Sequence, residues 1–299
     1  MAVVEAGVTP EPEVITARRP AGALLRGALT LRRTQIGLLL VLLVVGIALL
    51  GPLLAPHGAQ DFVAPPNTGP SGAARFGSDH IGQDVFSRFL RGGLEILSLA
   101  VAATVLGLAL GVLVGLVSAY SRGWLDDVLM RGMDVILAFP QIMLALVAIA
   151  TLGAEAWLIV LAVGLTTMPR VARVTRGAAQ PIVERDFVAA AEALGVPRLR
   201  ILFGEILPNV LSPLMVEASL RLTYAIGIVA ALAFLGFAAN PNAADWGLMI
   251  QENQIALVVQ PWGVVLPVLA IALLTIGTGL VGDGIARAAV GIDRSRGEE

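Results

Sequence analysis

The sequence predicts an all-α, polytopic membrane protein with six transmembrane helices. Of its 299 residues, 57% are hydrophobic and 14% are charged, whereas soluble domains carry about 25% charged residues. The apolar residues fall into long runs, and a helix needs about 20 such residues to cross roughly 30 Å of hydrocarbon. The predicted spans lie near 36–56, 94–120, 133–153, 156–177, 207–237 and 262–286.

Polar segments divide the chain into four parts. Residues 1–35 are predicted to form a disordered cytoplasmic tail, because they are rich in Pro and Glu and poor in large apolar side chains. This stretch is too long for the charged region of a signal peptide, so we expect the first span to be retained. Residues 36–92 hold that span and an extracytoplasmic segment. Residues 93–287 form a five-helix core with a cytoplasmic loop at 185–206, and residues 288–299 form a cytoplasmic C-terminal tail.

The placement of arginine predicts that both termini are cytoplasmic. All 20 basic residues are arginine, and positive charge accumulates on the cytoplasmic flanks of membrane helices. With the N-terminus inside, sixteen arginines fall on the cytoplasmic side and three, namely Arg75, Arg88 and Arg91, on the outer side. Arg221 lies within span five.

The composition argues against several kinds of chemistry. The chain has no cysteine and no lysine, which excludes disulfides, a nucleotide-binding P-loop lysine and Schiff-base catalysis. If ATP drives this protein, another chain must hydrolyse it, and we expect no cofactor in this one. The net charge of −2 gives no reason to expect nucleic-acid binding. His57 and His80 are isolated, so we expect no metal site, and no Ser/His/Asp constellation is evident.

Three residues within the spans are candidates for a translocation path. Pro140 predicts a kink in span three, which either lines a pathway or is simply tolerated, as prolines often are in membrane helices. Glu217 and Arg221 are four residues apart on span five, so they share a face and can pair. This pair either lines a polar route or braces the helix near the cytoplasmic interface. A ridge of Gly107, Gly111 and Gly115 predicts close helix packing rather than a ligand site.

The segment Phe187–Ser212 is a polar interlude between two apolar runs. Asp186 is predicted to cap a short helix, Gly195 to end it in a left-handed conformation, and Pro197 to open a second helix. Phe187, Ala190, Ala191 and Leu194 fall at helical spacing, so we expect them to share one face. That face either seats in a groove of a partner protein or belongs to a simple hairpin between spans.

These positions resemble the EAA loop of bacterial ABC importer permeases. The matching residues are Ala190-Ala191, Gly195 and Leu207-Pro208, while Ala189 stands where the family has Glu. In that family the loop forms a coupling helix that docks on a cytoplasmic ATPase. The resemblance implies this role for Phe187, Ala190, Ala191, Leu194, Gly195, Leu207 and Pro208.

Further partial matches, in order over residues 76–287, resemble the C-type permease of the dipeptide/oligopeptide branch. They are Phe76-Gly77-Ser78-Asp79 with Gly82, Asp84, Ser87 and Arg88; Asp134-Val135 with Ala138-Phe139-Pro140; Pro169-Arg170-Val171-Ala172-Arg173; Trp246-Gly247 with Met249-Ile250 and Pro261-Trp262; and Gly282-Asp283-Gly284.

The resemblance implies a type I ABC importer permease fold in the bacterial inner membrane. Such a chain forms half of a pathway for di- or oligopeptides, with nickel or another small solute as the alternative cargo. The implied partners are a second, homologous permease, two ATPase subunits that bind ATP and Mg, and an extracytoplasmic substrate-binding protein. Asp79, Asp84 and Trp246 are the candidate contacts for that binding protein.

Two other functional classes stay open at this point. A stand-alone secondary transporter should show repeats with broken helices around an ion site, and a membrane-embedded enzyme should show a catalytic constellation. Co-purification of ATPase subunits separates both from an importer subunit.

Overall fold

The computed structural model describes residues 21–121 and 123–290, and most of this part of the chain is helical. Short turns of π-helix (Ile201–Ile206) and 3₁₀-helix (Gln254–Ala256) accompany the α-helices. The α-helices are α1 (Ala21–Leu29), α2 (Arg32–Leu54), α3 (Val85–Arg91), α4 (Gly93–Ser121), α5 (Trp124–Leu137), α6 (Gln141–Leu152), α7 (Ala156–Val183), α8 (Asp186–Ala193), α9 (Arg198–Arg200), α10 (Leu207–Phe234), α11 (Trp246–Asn253) and α12 (Trp262–Val290).

Within the described residues, five helical segments are long and apolar enough to cross a membrane. A sixth span is present if α5 and α6, which meet at 81°, are counted as one broken span. The kink predicted in span three is therefore a full break, with Pro140 as the residue that precedes α6. Proline lacks an N–H and its ring clashes with the carbonyl four residues earlier, so Pro140 favours a break at this position.

The centre of the fold is the pair α4 and α7, which pack closely along most of their length. The predicted glycine ridge lies at this contact. A Cβ atom on Gly111 would lie 2.5 Å from Val171 Cβ, and one on Gly115 would lie 2.5 Å from the carbonyl oxygen of Ala172. The ridge therefore serves helix packing, as predicted, because only glycine lets the two backbones approach this far.

The other spans pack on this pair or on one another. Helix α10 packs on α4, α7 and α12, and α2 packs on α12. The segment between α2 and α4 folds back over the ends of the spans together with α11, so residues 55–91 and 238–262 meet on the side predicted as extracytoplasmic. Helices α1 and α8 lie at the opposite end.

The prediction that residues 1–35 form a disordered tail is wrong for residues 21–35. They form α1 and the start of α2, because the segment is rich in helix formers and Ala28 packs with Ile285 and Ala288 of α12. Helix α12 likewise extends through Val290 into the predicted C-terminal tail. The remainder of both predicted tails, residues 1–20 and 291–299, lies outside the described residues.

Candidate functional site

The short helix predicted after Asp186 is present as α8, with its boundaries shifted by one residue. Arg185 precedes the helix and Asp186 is its first residue, so Asp186 is not the N-cap as predicted. At the other end Gly195 has φ +72°, the left-handed conformation predicted for it. Its N–H donates to Glu192 O at 3.0 Å, and the N–H of Val196 donates to Ala191 O at 3.1 Å. These two bonds form a Schellman motif, which ends the helix sharply.

Helix α8 presents one face to the protein and another to its surroundings. Val188 is 1% exposed and packs with Leu202 and Ile206, whereas Leu194 is 82% exposed. Phe187 and Ala190 are also exposed.

The predicted common face of four residues therefore needs correction. Ala191 is half-buried and turns towards the protein, while Phe187, Ala190 and Leu194 remain free. We call these three residues, in the order Phe187, Ala190 and Leu194, the α8 outer face.

The chain after α8 enters span five earlier than predicted. Pro197 precedes α9, and residues 198–234 form one helical segment with a π-helical turn over Ile201–Ile206. Pro208 lies just after that turn, and its ring would clash with the Gly204 carbonyl in a regular α-helix, which accounts for the wider turn. Leu207 and Pro208 are thus residues of the helix, with Leu207 half-buried against the α8 side.

A row of three arginines on α7 connects this helix to the broken span three. Arg176 makes two hydrogen bonds to the Asp126 carboxylate, at 2.7 and 2.5 Å, and Arg173 pairs with Asp134. The deepest member, Arg170, donates to Gln141 Oε1 at 3.3 Å. In the sequence these arginines indicated topology and, for Arg170 and Arg173, formed part of a family match, but their pairing with α5 was not predicted. Their spacing of three residues, which puts them on neighbouring turns of one helix, was the available signal.

The predicted pair on span five is present. Arg221 Nε lies 2.8 Å from Glu217 Oε1, and both side chains are buried. The guanidinium also stacks over the Tyr224 ring, 5.1 Å from its centre. Charged residues within a span are costly unless they are paired or line a polar cavity, so this cluster requires a structural or transport role.

Pro140, the third candidate for the path, lies next to this polar region rather than in it. It fixes where α6 begins, so the residue that contacts Arg170 is its neighbour Gln141.

The three residues predicted to contact a binding protein are all internal. Asp79 and Trp246 are 0% exposed and Asp84 is 1% exposed. Asp84 accepts a hydrogen bond from the Ser87 N–H at 3.0 Å and caps α3, and the Trp246 indole N–H donates to Phe89 O at 2.8 Å. The prediction of direct contact is therefore wrong for this conformation, because these side chains offer no surface to another protein.

A buried ionic cluster, which sequence reasoning missed, fastens this outer region. Arg88 Nη1 lies 2.5 Å from Asp79 Oδ2 and 2.9 Å from Glu252 Oε2, so one arginine joins the segment before α3 to α11. The carboxylates of Asp79 and Glu252 also lie near His80. Because Arg88 already supplies a cation to both, the arrangement does not call for a metal ion.

Helix α11 begins at a buried acid with a shifted pKa. Asp245 caps it by accepting a hydrogen bond from the Leu248 N–H at 2.9 Å. Desolvation by burial raises the pKa of the Asp245 carboxyl to about 7. Beside it, an outward-open cavity of about 660 Å³ is lined by Asp61, Arg91, Glu95 and Asn240 among others.

A match to a protein family identifies the type of transport system to which this chain belongs. Residues 107–290 match the family described as the inner membrane component of binding-protein-dependent transport systems. The chain belongs to this family. It is thus a multi-pass inner membrane permease subunit that works with ATPase subunits and a substrate-binding protein, and it is not itself an enzyme. The stand-alone transporter and the membrane enzyme are therefore set aside.

Individual relatives agree with this assignment. The glutathione transport system permease protein GsiD of Pectobacterium atrosepticum is 35% identical over 249 residues, 83% of each chain. The di/tripeptide transport system permease protein DppC of Pseudomonas aeruginosa is 36% identical over 256 residues, 83% of this chain and 84% of that one. The predicted membership of the dipeptide/oligopeptide permease family is confirmed.

Solved structures support the fold. Two inward-facing structures of the MetNI methionine ABC transporter match with TM-scores of 0.50 and 0.51 and sequence identities of 22% and 20%. They cover 67% and 69% of this chain and 95% and 97% of the matched chains. The predicted type I importer permease fold is confirmed.

Proposed function

We propose that this chain forms half of the translocation pathway of an ATP-driven importer for di- and oligopeptides. The observation that carries the cargo assignment is its similarity, over more than four-fifths of the chain, to permeases named for glutathione and for di- and tripeptides. Glutathione is itself a tripeptide, so both names refer to short peptides with a free carboxylate.

The α8 outer face is the proposed contact with the ATPase. It offers a small apolar surface with Phe187 and Leu194 at its ends and Ala190 between them, a shape suited to a groove in a partner. The inner side of α8, through Val188, packs against the start of span five. A movement of the ATPase would therefore reach span five through packed side chains, and the Glu that the family carries at Ala189 is not needed for such docking.

Two ATPase subunits, which bind ATP and Mg, supply the energy in this proposal. ATP binding closes the ATPase pair and carries α8 with it, and the spans tilt so that the central cavity changes the side to which it opens. Such a cycle requires that α8 contact the ATPase differently in the two states, because equal contacts cannot shift an equilibrium.

A second, homologous permease completes the pathway. The pair Arg173 and Asp134 belongs to the predicted spans, yet both side chains are about half exposed in the single chain, at 51% and 57%. Lipid does not accommodate exposed charges at low cost. A partner permease and a water-filled cavity between the two chains would give these groups a polar environment. Glu217, Arg221 and the α6 start after Pro140 are the proposed path residues of this chain.

The binding protein is proposed to dock on the outer side. The buried cluster around Arg88 holds residues 76–91 and α11 together, so these segments offer a rigid platform. The cavity lined by Asp61, Arg91 and Glu95 opens on the same side and carries charges of both signs. We propose that the binding protein contacts the exposed residues around this cavity and not the buried Asp79, Asp84 and Trp246.

Purification and uptake test the proposal together. This chain, purified in mild detergent from its host, should bring two ATPase subunits and a second permease with it. Proteoliposomes holding that complex, with its binding protein outside and ATP inside, should accumulate labelled di- and tripeptides. ATP-driven uptake of a nickel chelate instead of peptides would favour the alternative cargo, and solute movement by the isolated chain would contradict the proposal.

A further inference from the structure

Three polar residues lie at similar depth near the break in span three, well inside the membrane. Gln141, Arg170 and Arg221 lie about 17 to 21 Å from the outer ends of α6, α7 and α10, measured along the helix axes at 1.5 Å per residue. The hydrocarbon layer is roughly 30 Å thick, so all three lie near or just beyond its middle. Substrates of secondary transporters bind at this depth, where helices are interrupted.

Positive charge exceeds negative charge at this place. Arg173 and Arg176 each have a carboxylate partner on α5, but Arg170 forms no ion pair within residues 21–121 and 123–290 and donates a hydrogen bond to the neutral amide oxygen of Gln141. Arg221 pairs with the carboxylate of Glu217. Its Nη1 atom is buried and has no hydrogen-bond partner in the described part of the chain. Arg170 and Arg221 carry like charges at similar depth on α7 and α10, two helices that pack against each other, so the two side chains repel each other.

The start of α6 adds to this excess. The helix begins after Pro140 with no side chain capping its N-terminus, and a helix N-terminus carries a partial positive charge. Gln141, its first residue, also donates to Thr166 Oγ1 at 3.3 Å, which fixes the amide so that its oxygen faces Arg170. Arg170 is therefore held in place by a neutral group and keeps donors free for an anion.

We propose that Arg170 and Arg221, with Gln141 as a positioning residue, form a subsite for a single carboxylate of the transported peptide. The two guanidinium groups and the Glu217 carboxylate together carry a net charge of +1. One carboxylate of the peptide would neutralise this charge, whereas an uncharged peptide end would not. An incoming carboxylate relieves the repulsion between the two arginines and supplies the acceptor that Arg221 lacks. This inference rests on the proposed function and specifies which part of the peptide the membrane subunit recognises.

The test uses the complete complex in proteoliposomes, with its binding protein and ATP. The probes are dialanine, whose only carboxylate is the C-terminal one, and dialanine amide, each at a concentration that saturates the binding protein. Because a hydrogen bond to a charged group contributes about 1.5–3 kcal/mol, we expect the wild-type complex to transport dialanine about tenfold or more faster than the amide. Arg170→Gln should slow dialanine uptake about tenfold and bring the two probes to similar rates.

ATPase activity stimulated by the binding protein separates a subsite from a structural role. It should stay near the wild-type value in Arg170→Gln while uptake falls. Unchanged uptake of dialanine, or a parallel loss of uptake and ATPase activity, would overturn the subsite. Absence of ATP-driven peptide uptake by the wild-type complex would instead overturn the proposed function, so the two failures are distinguishable.

A conservative variant covers the case in which Arg170→Gln fails to assemble. Arg170→Lys keeps the charge but loses the planar fork that matches a carboxylate. We expect it to assemble and to transport dialanine more slowly, with less preference over the amide. Wild-type rates and wild-type preference in Arg170→Lys, together with failure of Arg170→Gln to assemble, would assign Arg170 a purely structural role.

Discussion

Replacing Gly195 with valine should uncouple transport from ATP hydrolysis. Gly195 has φ +72°, and nothing lies within 4 Å of the position that a Cβ would occupy. Steric contact with neighbours is therefore absent, and the whole effect comes from the backbone conformation. A left-handed conformation costs a residue with a Cβ roughly 1–2 kcal/mol, and a β-branched residue is a particular outlier there.

The size of the effect follows from that cost. A penalty of one to two kcal/mol reduces the population of the correct helix end by about 5- to 30-fold. Without the two hydrogen bonds that end α8, the α8 outer face would lose the orientation that its proposed contact with the ATPase requires. We expect Gly195→Val to keep basal ATPase activity and to lose most peptide uptake per ATP hydrolysed.

The assay is the ratio of peptide imported to ATP hydrolysed in proteoliposomes. Gly177→Val is the matched control, because Gly177 is also free of contacts within 4 Å but has ordinary helical geometry within α7. It should couple normally. A normal ratio for Gly195→Val would refute the reasoning that the left-handed helix end positions α8.

Three further predictions concern docking, the outer cluster and pH. Ala190→Arg should prevent ATPase binding by overfilling the α8 outer face, and retention of the ATPase during purification would show that this face points elsewhere. Arg88→Met should destabilise the chain by about 3–5 kcal/mol, because it leaves the buried carboxylate of Asp79 and that of Glu252 without a cation; an unchanged melting temperature in detergent would contradict this. For Asp245, the folded state holds a proton more tightly than the unfolded state, since its pKa rises to about 7 from an unfolded value near 4. Its contribution to stability is therefore complete below about pH 4 and is lost as the pH rises to about 7. Asp245→Asn, which can still cap α11, should remove that part of the pH dependence of the melting temperature, and an unaltered pH profile would argue against a raised pKa.

Local signals in the sequence predicted the parts of the fold that depend on local physics. Runs of apolar residues identified the spans, a glycine identified the end of α8, and the spacing of Glu217 and Arg221 predicted their pairing. Each of these features is determined within one helix or one turn, so composition and spacing are sufficient to find it.

Features that depend on tertiary packing were predicted less well. Pro140 indicated that span three bends, but the 81° angle between α5 and α6 depends on how both halves pack on α7. The family resemblance implies that Asp79 and Trp246 contact a binding protein, which requires them to lie at the surface. They are buried because residues 76–91 and α11 fold onto each other, a contact between segments more than 150 positions apart along the chain.

That long-range contact has a consequence for protein engineering. Gln260 donates to Phe76 O at 2.5 Å, the His80 N–H donates to Asn253 Oδ1 at 3.0 Å, and Trp246 donates to Phe89 O, so the two outer segments share their hydrogen bonds. A chimera that takes only one of them from a relative would leave donors and acceptors unmatched. Any exchange of the outer side of this subunit with that of a relative therefore requires transplanting residues 55–91 and 238–262 as a single unit.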